Sequence, residues 1–188
     1  MKRALDAVGS AVLLLIGWPL LLLLMVLIRR ETPGPAIFAQ TRIGQNGRPF
    51  SCYKLRTMWA ETPELPTHEV GQAALTPLGR RLRRLKLDEL PQLYNVLIGD
   101  MSLVGPRPCL PSQTELIEAR VRQGALALKP GITGLAQVQG IDMSDPERLA
   151  VVDGEYARTQ SFFGDLRLLL ATLFGGGMNV DRIVRSGN

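Results

Sequence analysis

Ala7-Val-Gly-Ser-Ala-Val-Leu-Leu-Leu-Ile-Gly-Trp-Pro-Leu-Leu-Leu-Leu-Leu-Met-Val-Leu-Ile28 contains no charged residue, and from Val12 onward it is mostly leucine. Fully helical, it would extend roughly 33 Å at 1.5 Å per residue, enough to cross a hydrocarbon core of about 30 Å. A cleaved signal peptide fits poorly: the run is long, lacks a small-x-small site at its end and is followed at once by Arg29 and Arg30. Pro19 lies near the middle, where its missing N–H and its ring predict a bend or break. Lys2 and Arg3 precede the run, so positive charge flanks both ends and favours both on the cytoplasmic side. The expectation is a re-entrant membrane helix over 1–30, broken at Pro19; the alternative is a kinked helix that spans once.

The remaining composition agrees with a folded domain beside a membrane. Of 188 residues, 46% are hydrophobic and 21% charged, which argues against intrinsic disorder. The net charge of +5 is uneven: residues 1–87 carry 13 basic and 5 acidic side chains, and residues 88–188 carry 9 and 12. Positive charge therefore accompanies the apolar run, as expected of a protein that meets anionic headgroups. Nucleic acid is not an expected partner, because no aromatic stacking platform or recognition motif is present. Cys52 and Cys109 are too few for a disulfide framework and read as small core residues.

Along the chain, Ala36–Ile43 and Arg48–Met58 suit strands, and the intervening Gln45-Asn46-Gly47 predicts a hairpin. Alternation would put Lys54 and Arg56 on one face of the second strand. Residues 60–72 read as a mobile loop, and His68 in it, the only histidine, is a poor candidate for metal or proton chemistry. Thr76-Pro77 opens a helix as N-cap and first residue. In it Leu78, Leu82 and Leu85 form a stripe among Arg80, Arg81, Arg83, Arg84 and Lys86, suited to a membrane surface, to phosphates or to water. A second helical stripe, Leu90, Leu93, Tyr94 and Leu97, follows. Gly99–Pro108 and Lys129–Gly134 read as Gly/Pro-rich turns. Ser144-Asp145-Pro146 starts a helix that runs to about Gln160. Phe162–Phe174 suits an interfacial helix, and 175–188 reads as a disordered tail.

Between the two stripes lies Asp88-Glu89. At a helix start and just after five cations, Asp88 is expected to stay ionised; three roles are open to it, as helix cap, Mg²⁺ ligand or nucleophile at phosphorus. Glu89 is a first-turn helix residue, a second ligand or a base. Arg107, between Pro106 and Pro108, sits on a stiff backbone suited to phosphate. With Lys54 and Arg56 it would surround the carboxylates with cations, a balance that suits a diphosphate with a divalent metal.

Arg42–Phe50, Tyr53–Met58, Leu87-Asp-Glu-Leu-Pro-Gln-Leu-Tyr-Asn-Val96, Gly99-Asp-Met-Ser-Leu-Val-Gly-Pro-Arg-Pro108 and Lys129–Val138 together resemble the bacterial sugar transferase family, and more closely its small monotopic phosphoglycosyl transferases. The likeness extends from Lys2 to Asp165. It implies transfer of a phospho-sugar from a UDP-sugar to a polyprenol phosphate, usually undecaprenyl phosphate, with release of UMP. This would be the first membrane step of glycoconjugate assembly. Carried over by motif, Asp88 is the nucleophile and Mg²⁺ ligand, Glu89 assists, and Arg107 holds phosphate. The expected fold is α+β: a re-entrant helix (1–30), a β-hairpin and several amphipathic or interfacial helices in one catalytic domain (31–174) on the cytoplasmic face of the bacterial inner membrane. Its expected partners are the UDP-sugar, undecaprenyl phosphate and membrane lipids. A membrane-anchored scaffold that binds anionic lipid without catalysis is the alternative.

Overall fold

A computed structural model describes residues 2–59, 62 and 74–174. The expected loop with His68, apart from Thr62, and the expected tail over 175–188 lie outside the described residues.

Helix α1 (Lys2–Glu31) contains the whole apolar run. At 30 residues it would extend about 45 Å if straight. Helical backbone continues through Pro19, so the expected break does not divide it in two. One proline removes a single backbone donor, and the turns on either side keep their own hydrogen bonds. Most of its apolar stretch is exposed. Leu13, Leu15, Ile16, Trp18, Leu20, Leu22 and Leu23 are bare, while burial is confined to Asp6 and Ser10 near one end and Leu24 and Ile28 near the other. Side chains of this kind each favour an apolar environment by about 1.5–3 kcal/mol, so this surface suits an apolar environment such as lipid.

The expected hairpin forms from β1 (Ile37–Ile43) and β2 (Pro49–Leu55), antiparallel with Ala39 opposite Tyr53. Asn46 (φ 56°) and Gly47 (φ 77°) take the left-handed conformations that made Asn-Gly a turn signal. Helix α2 (Pro77–Arg84) begins as expected, with Thr76 Oγ1 accepting from the Gly79 N–H at 2.8 Å. Leu82 packs with Leu24 and Ile28 of α1 and with Leu55 of β2. Leu85, expected on the same stripe, is exposed because α2 ends before it.

A 3₁₀ turn at Leu87–Glu89 leads into α3 (Gln92–Ile98). Its buried face is Gln92, Leu93, Asn95 and Val96; Tyr94, placed on the apolar stripe by spacing, is exposed. The two Gly/Pro-rich segments, read as turns, contain short strands. β3 (Ser102–Val104) and β4 (Gly131–Thr133) pair in parallel, Ser102 opposite Gly131 and Val104 opposite Thr133. Glycine allows this approach: a Cβ on Gly131 would stand 2.1 Å from the Gly105 nitrogen.

The main core brings together α4 (Thr114–Arg122), α5 (Leu135–Val138), α6 (Pro146–Thr159) and α7 (Phe162–Leu173) through Leu116, Leu135, Leu149, Tyr156 and Leu168. Asp145 caps α6 as expected. Helix α7 buries Leu168 and Ala171 and leaves Phe162, Phe163, Leu166, Leu170 and Leu173 exposed, the one-sided surface expected of an interfacial helix. Cys52 and Cys109 are free and buried, as read from the sequence. The architecture is mixed helix and strand, with a long apolar N-terminal helix and a small sheet.

Candidate active site

Asp88 and Glu89 occupy the 3₁₀ turn between α2 and α3. Lys86, just before them, adopts φ 55°, which turns the chain sharply out of α2. Asp88 is therefore not the N-cap of an α-helix. Its side chain is buried, and among the described residues it has no ion-pair partner.

Glu89 is more firmly held. Arg107 Nη2 donates to its Oε1 at 2.8 Å, and Lys54 Nζ stands 3.6 Å from the same oxygen. The site thus joins β2, the α2–α3 turn and the Pro-flanked segment after β3. Asp88, Glu89, Lys54 and Arg107, all read from the sequence as site residues, come together. Arg56 does not join them: β2 ends at Leu55, and Arg56 Nη2 donates to the carbonyl oxygen (2.9 Å) and hydroxyl (2.6 Å) of Thr32. Strand alternation fails one residue past the strand, and Arg56 braces the segment after α1 instead.

The charges oppose one another in an ordered way. Burial pushes the Asp88 carboxyl above its ordinary value, and the Glu89 carboxylate adds to this; Lys54 and Arg83 act in the other direction without overcoming it. This reverses the direction expected from a helix start beside cations, because the carboxyl is buried rather than solvated. Burial would raise Glu89 too, but Arg107 and Lys54 outweigh it and hold that carboxyl below the usual range. Lys54 is lowered by burial and by Arg107. The pair of carboxylates is thus split: Glu89 is committed to cations, and Asp88 forms no ion pair among the described residues.

Three supporting residues were not identified from the sequence. Arg83 is half-buried and donates from Nε to Thr57 Oγ1 at 3.0 Å, and its charge acts on Asp88. Gly79, one turn earlier, marked this face: a Cβ there would stand 2.0 Å from the Thr57 carbonyl oxygen, so only glycine lets α2 lie so close. Arg42 donates from Nε and Nη2 to Gln40 Oε1 (3.0 and 2.6 Å) and from Nη1 to the Pro108 carbonyl (3.1 Å), tying the hairpin to the platform that carries Arg107. Asn95, fully buried, accepts from the Tyr53 N–H at 3.0 Å and donates to the Ser51 carbonyl at 2.7 Å. It completes the free edge of β2 as a third strand would, one residue from Lys54. No local sequence signal distinguishes such an asparagine from a surface one.

Among the described residues no group of three or more His, Cys, Asp or Glu side chains gathers into a cage. Mg²⁺ in phosphoryl-transfer sites is commonly held by one or two carboxylates and the substrate's own phosphates. The unpaired Asp88 carboxylate fits that arrangement.

The family model described as bacterial sugar transferase matches residues 1–176. The chain is 43% identical over 182 residues to a UDP-glucose:undecaprenyl-phosphate glucose-1-phosphate transferase of Caulobacter vibrioides, with 92% of this chain and 68% of the relative covered. It is 37% identical over 188 residues to a protein of the same name from Escherichia coli, covering 95% of this chain and 40% of the relative. To an undecaprenyl-phosphate galactose phosphotransferase of Salmonella typhimurium it is 36% identical over 189 residues, covering 92% and 39%. It spans about two thirds of the first and about two fifths of the other two.

Proposed function

The chain belongs to the bacterial sugar transferase family, and from that premise we propose that it is a phosphoglycosyl transferase. It moves a phospho-sugar from a UDP-sugar to undecaprenyl phosphate and releases UMP. The observation that carries the mechanism is the split carboxylate pair: Asp88, buried and without an ion-pair partner among the described residues, beside a Glu89 held by Arg107 and Lys54.

In the first step an Asp88 carboxylate oxygen attacks the sugar-bearing phosphorus. The bond from that phosphorus to the bridging oxygen breaks, UMP leaves with the electron pair, and an aspartyl phosphosugar forms. In the second, an oxygen of undecaprenyl phosphate attacks the same phosphorus and frees the Asp88 carboxylate, leaving the sugar on an undecaprenyl diphosphate. The covalent intermediate divides one difficult transfer into two. A raised carboxyl pKa makes the ionised Asp88 a stronger nucleophile, provided the pH lies above it. Arg107 and Lys54 offset the diphosphate charge that would otherwise repel it, and Glu89 positions both cations. Asp88, with the substrate's phosphate oxygens, would hold Mg²⁺, which when bound supplies further neutralisation of the diphosphate.

The catalytic unit is 31–174, and 1–30 is the membrane segment, re-entrant, with both ends on the cytoplasmic face. Contacts at both ends of α1 with one domain support this. At one end Lys2 Nζ meets Asp165 Oδ2 at 2.5 Å, Arg3 donates to the carbonyls of Val96 and Leu97, and Asp6 accepts from the Leu103 N–H. At the other, Leu24 and Ile28 pack with Leu55 and Leu82. A helix crossing the bilayer would hold its ends on opposite sides. Cysteine labelling at both ends is expected to find each accessible from the cytoplasm; a site reached only from the periplasm would mean a span.

UMP release over a panel of UDP-sugars with undecaprenyl phosphate and Mg²⁺ tests the activity. At least one UDP-sugar is expected to turn over, and Asp88→Asn is expected to stop it while membrane association remains. Unchanged release in Asp88→Asn would remove the proposed nucleophile.

A further inference from the structure

Helix α2 presents three different sides. Leu82 packs on Leu24 and Ile28 of α1. Arg83 turns inward to Thr57, with its charge acting on Asp88. Arg80, Arg81 and Arg84 face outward and are exposed, as are Lys86 and Leu85 just beyond the helix. None of these four cations forms an ion pair with a described carboxylate, and neither do the exposed Arg29 and Arg30 at the end of α1.

Helices α1 and α2 meet where α1 ends. Glu31 Oε1 accepts from the Leu78 N–H at 2.9 Å, so α2 begins beside the last residue of α1. Arg29 and Arg30 mark where the apolar run ends, the level at which a membrane helix meets headgroups. The exposed cations of α2 therefore lie on a helix that starts beside the end of α1, and their charge complements an anionic leaflet.

We propose that Arg29, Arg30, Arg80, Arg81, Arg84 and Lys86 form a collar for anionic phospholipid headgroups, and that this contact seats the Asp88 turn at the membrane surface. The chain connection favours such coupling: Lys86, a collar residue, is followed by the turn that carries Asp88. Phosphate is the group recognised, and undecaprenyl phosphate also offers it. The partner is the bulk phospholipid, because six exposed cations spread over α1, α2 and the residues just past α2 match a surface rather than one headgroup. The inference rests on the proposed membrane placement of α1 and not on the transferase activity.

The full chain would be reconstituted in vesicles of phosphatidylcholine alone or with phosphatidylglycerol at about 30%. Hydrogen exchange of residues 77–86 is expected to slow at least about fivefold with phosphatidylglycerol, and the protection to fall in about 0.5 M salt, where the screening length is only a few ångströms. Arg80→Gln/Arg81→Gln/Arg84→Gln is expected to lose the protection. UMP release is expected to rise with phosphatidylglycerol in the wild type and much less in the variant. Equal exchange in the two kinds of wild-type vesicle would overturn the proposal, and needs no variant. So would equal protection from undecaprenyl phosphate added to phosphatidylcholine alone, which would assign the collar to the acceptor. Absence of UMP release under every condition would count against the transferase reading and leave the exchange comparison intact.

Discussion

Arg107 Nη2 lies 2.8 Å from Glu89 Oε1, and this contact joins two segments that are 18 residues apart in sequence. Lys54 reaches the same oxygen from the hairpin, at 3.6 Å. The site is an electrostatic junction in which Glu89 assembles the cations, while Asp88 forms no ion pair among the described residues.

Removing the guanidinium should therefore disable more than phosphate binding. Arg107→Met is expected to lower UMP release by about a hundredfold or more, the scale of losing one preorganised charged donor at a phosphoryl centre. Arg107→Lys is expected to recover little of it, since an ammonium does not reproduce the geometry of the guanidinium. Steady-state UMP assays check both.

The two carboxyls impose opposite pH dependences on stability. Glu89, held below its ordinary 4.5 by cations that outweigh its burial, stabilises the fold above the unfolded value; that contribution is lost as the pH falls through the lower folded value. Glu89→Gln should flatten the acid side of a plot of Tm against pH.

Asp88 acts in the reverse sense. Its folded value is raised by burial, so its favourable contribution is present below the unfolded value and is lost as the pH rises through the folded one. At neutral pH the buried carboxylate opposes folding. Asp88→Asn is expected to raise Tm at pH 7–8 by about 2–4 °C while abolishing turnover. Thermal denaturation in detergent tests this, and a lower Tm would contradict it.

Asn95→Ala removes both bonds to the edge of β2 and leaves the Tyr53 N–H and Ser51 carbonyl without those partners. A loss of about 1–3 kcal/mol is expected, with faster exchange at the Tyr53 amide as the local readout.

The legible parts of the fold were those with a local cause. An uncharged run longer than a bilayer's core, Asn-Gly in left-handed turn geometry, and the Thr76 and Asp145 caps each act within a few residues. The pairing of β3 with β4 was not legible, because three-residue strands are too short to show a period. Of the residues expected to share a site, Asp88, Glu89, Lys54 and Arg107 lie together and Arg56 turns to Thr32. Alternation identifies a face only while the strand lasts, and whether Arg56 or Arg83 approaches Asp88 depends on where β2 ends and how closely Gly79 lets α2 approach. Asn95 was invisible for the same reason: its partners lie more than 40 residues away.

Covalent capture on Asp88 tests the central claim most directly. The full chain would be incubated with a UDP-sugar that it turns over and Mg²⁺, without undecaprenyl phosphate, and then analysed by peptide mass spectrometry. The expected result is one phosphosugar on the peptide containing Asp88, with UMP released in equal amount, discharged when undecaprenyl phosphate is added and absent in Asp88→Asn. Turnover by Asp88→Asn at the wild-type rate, with no adduct on either chain, would contradict it.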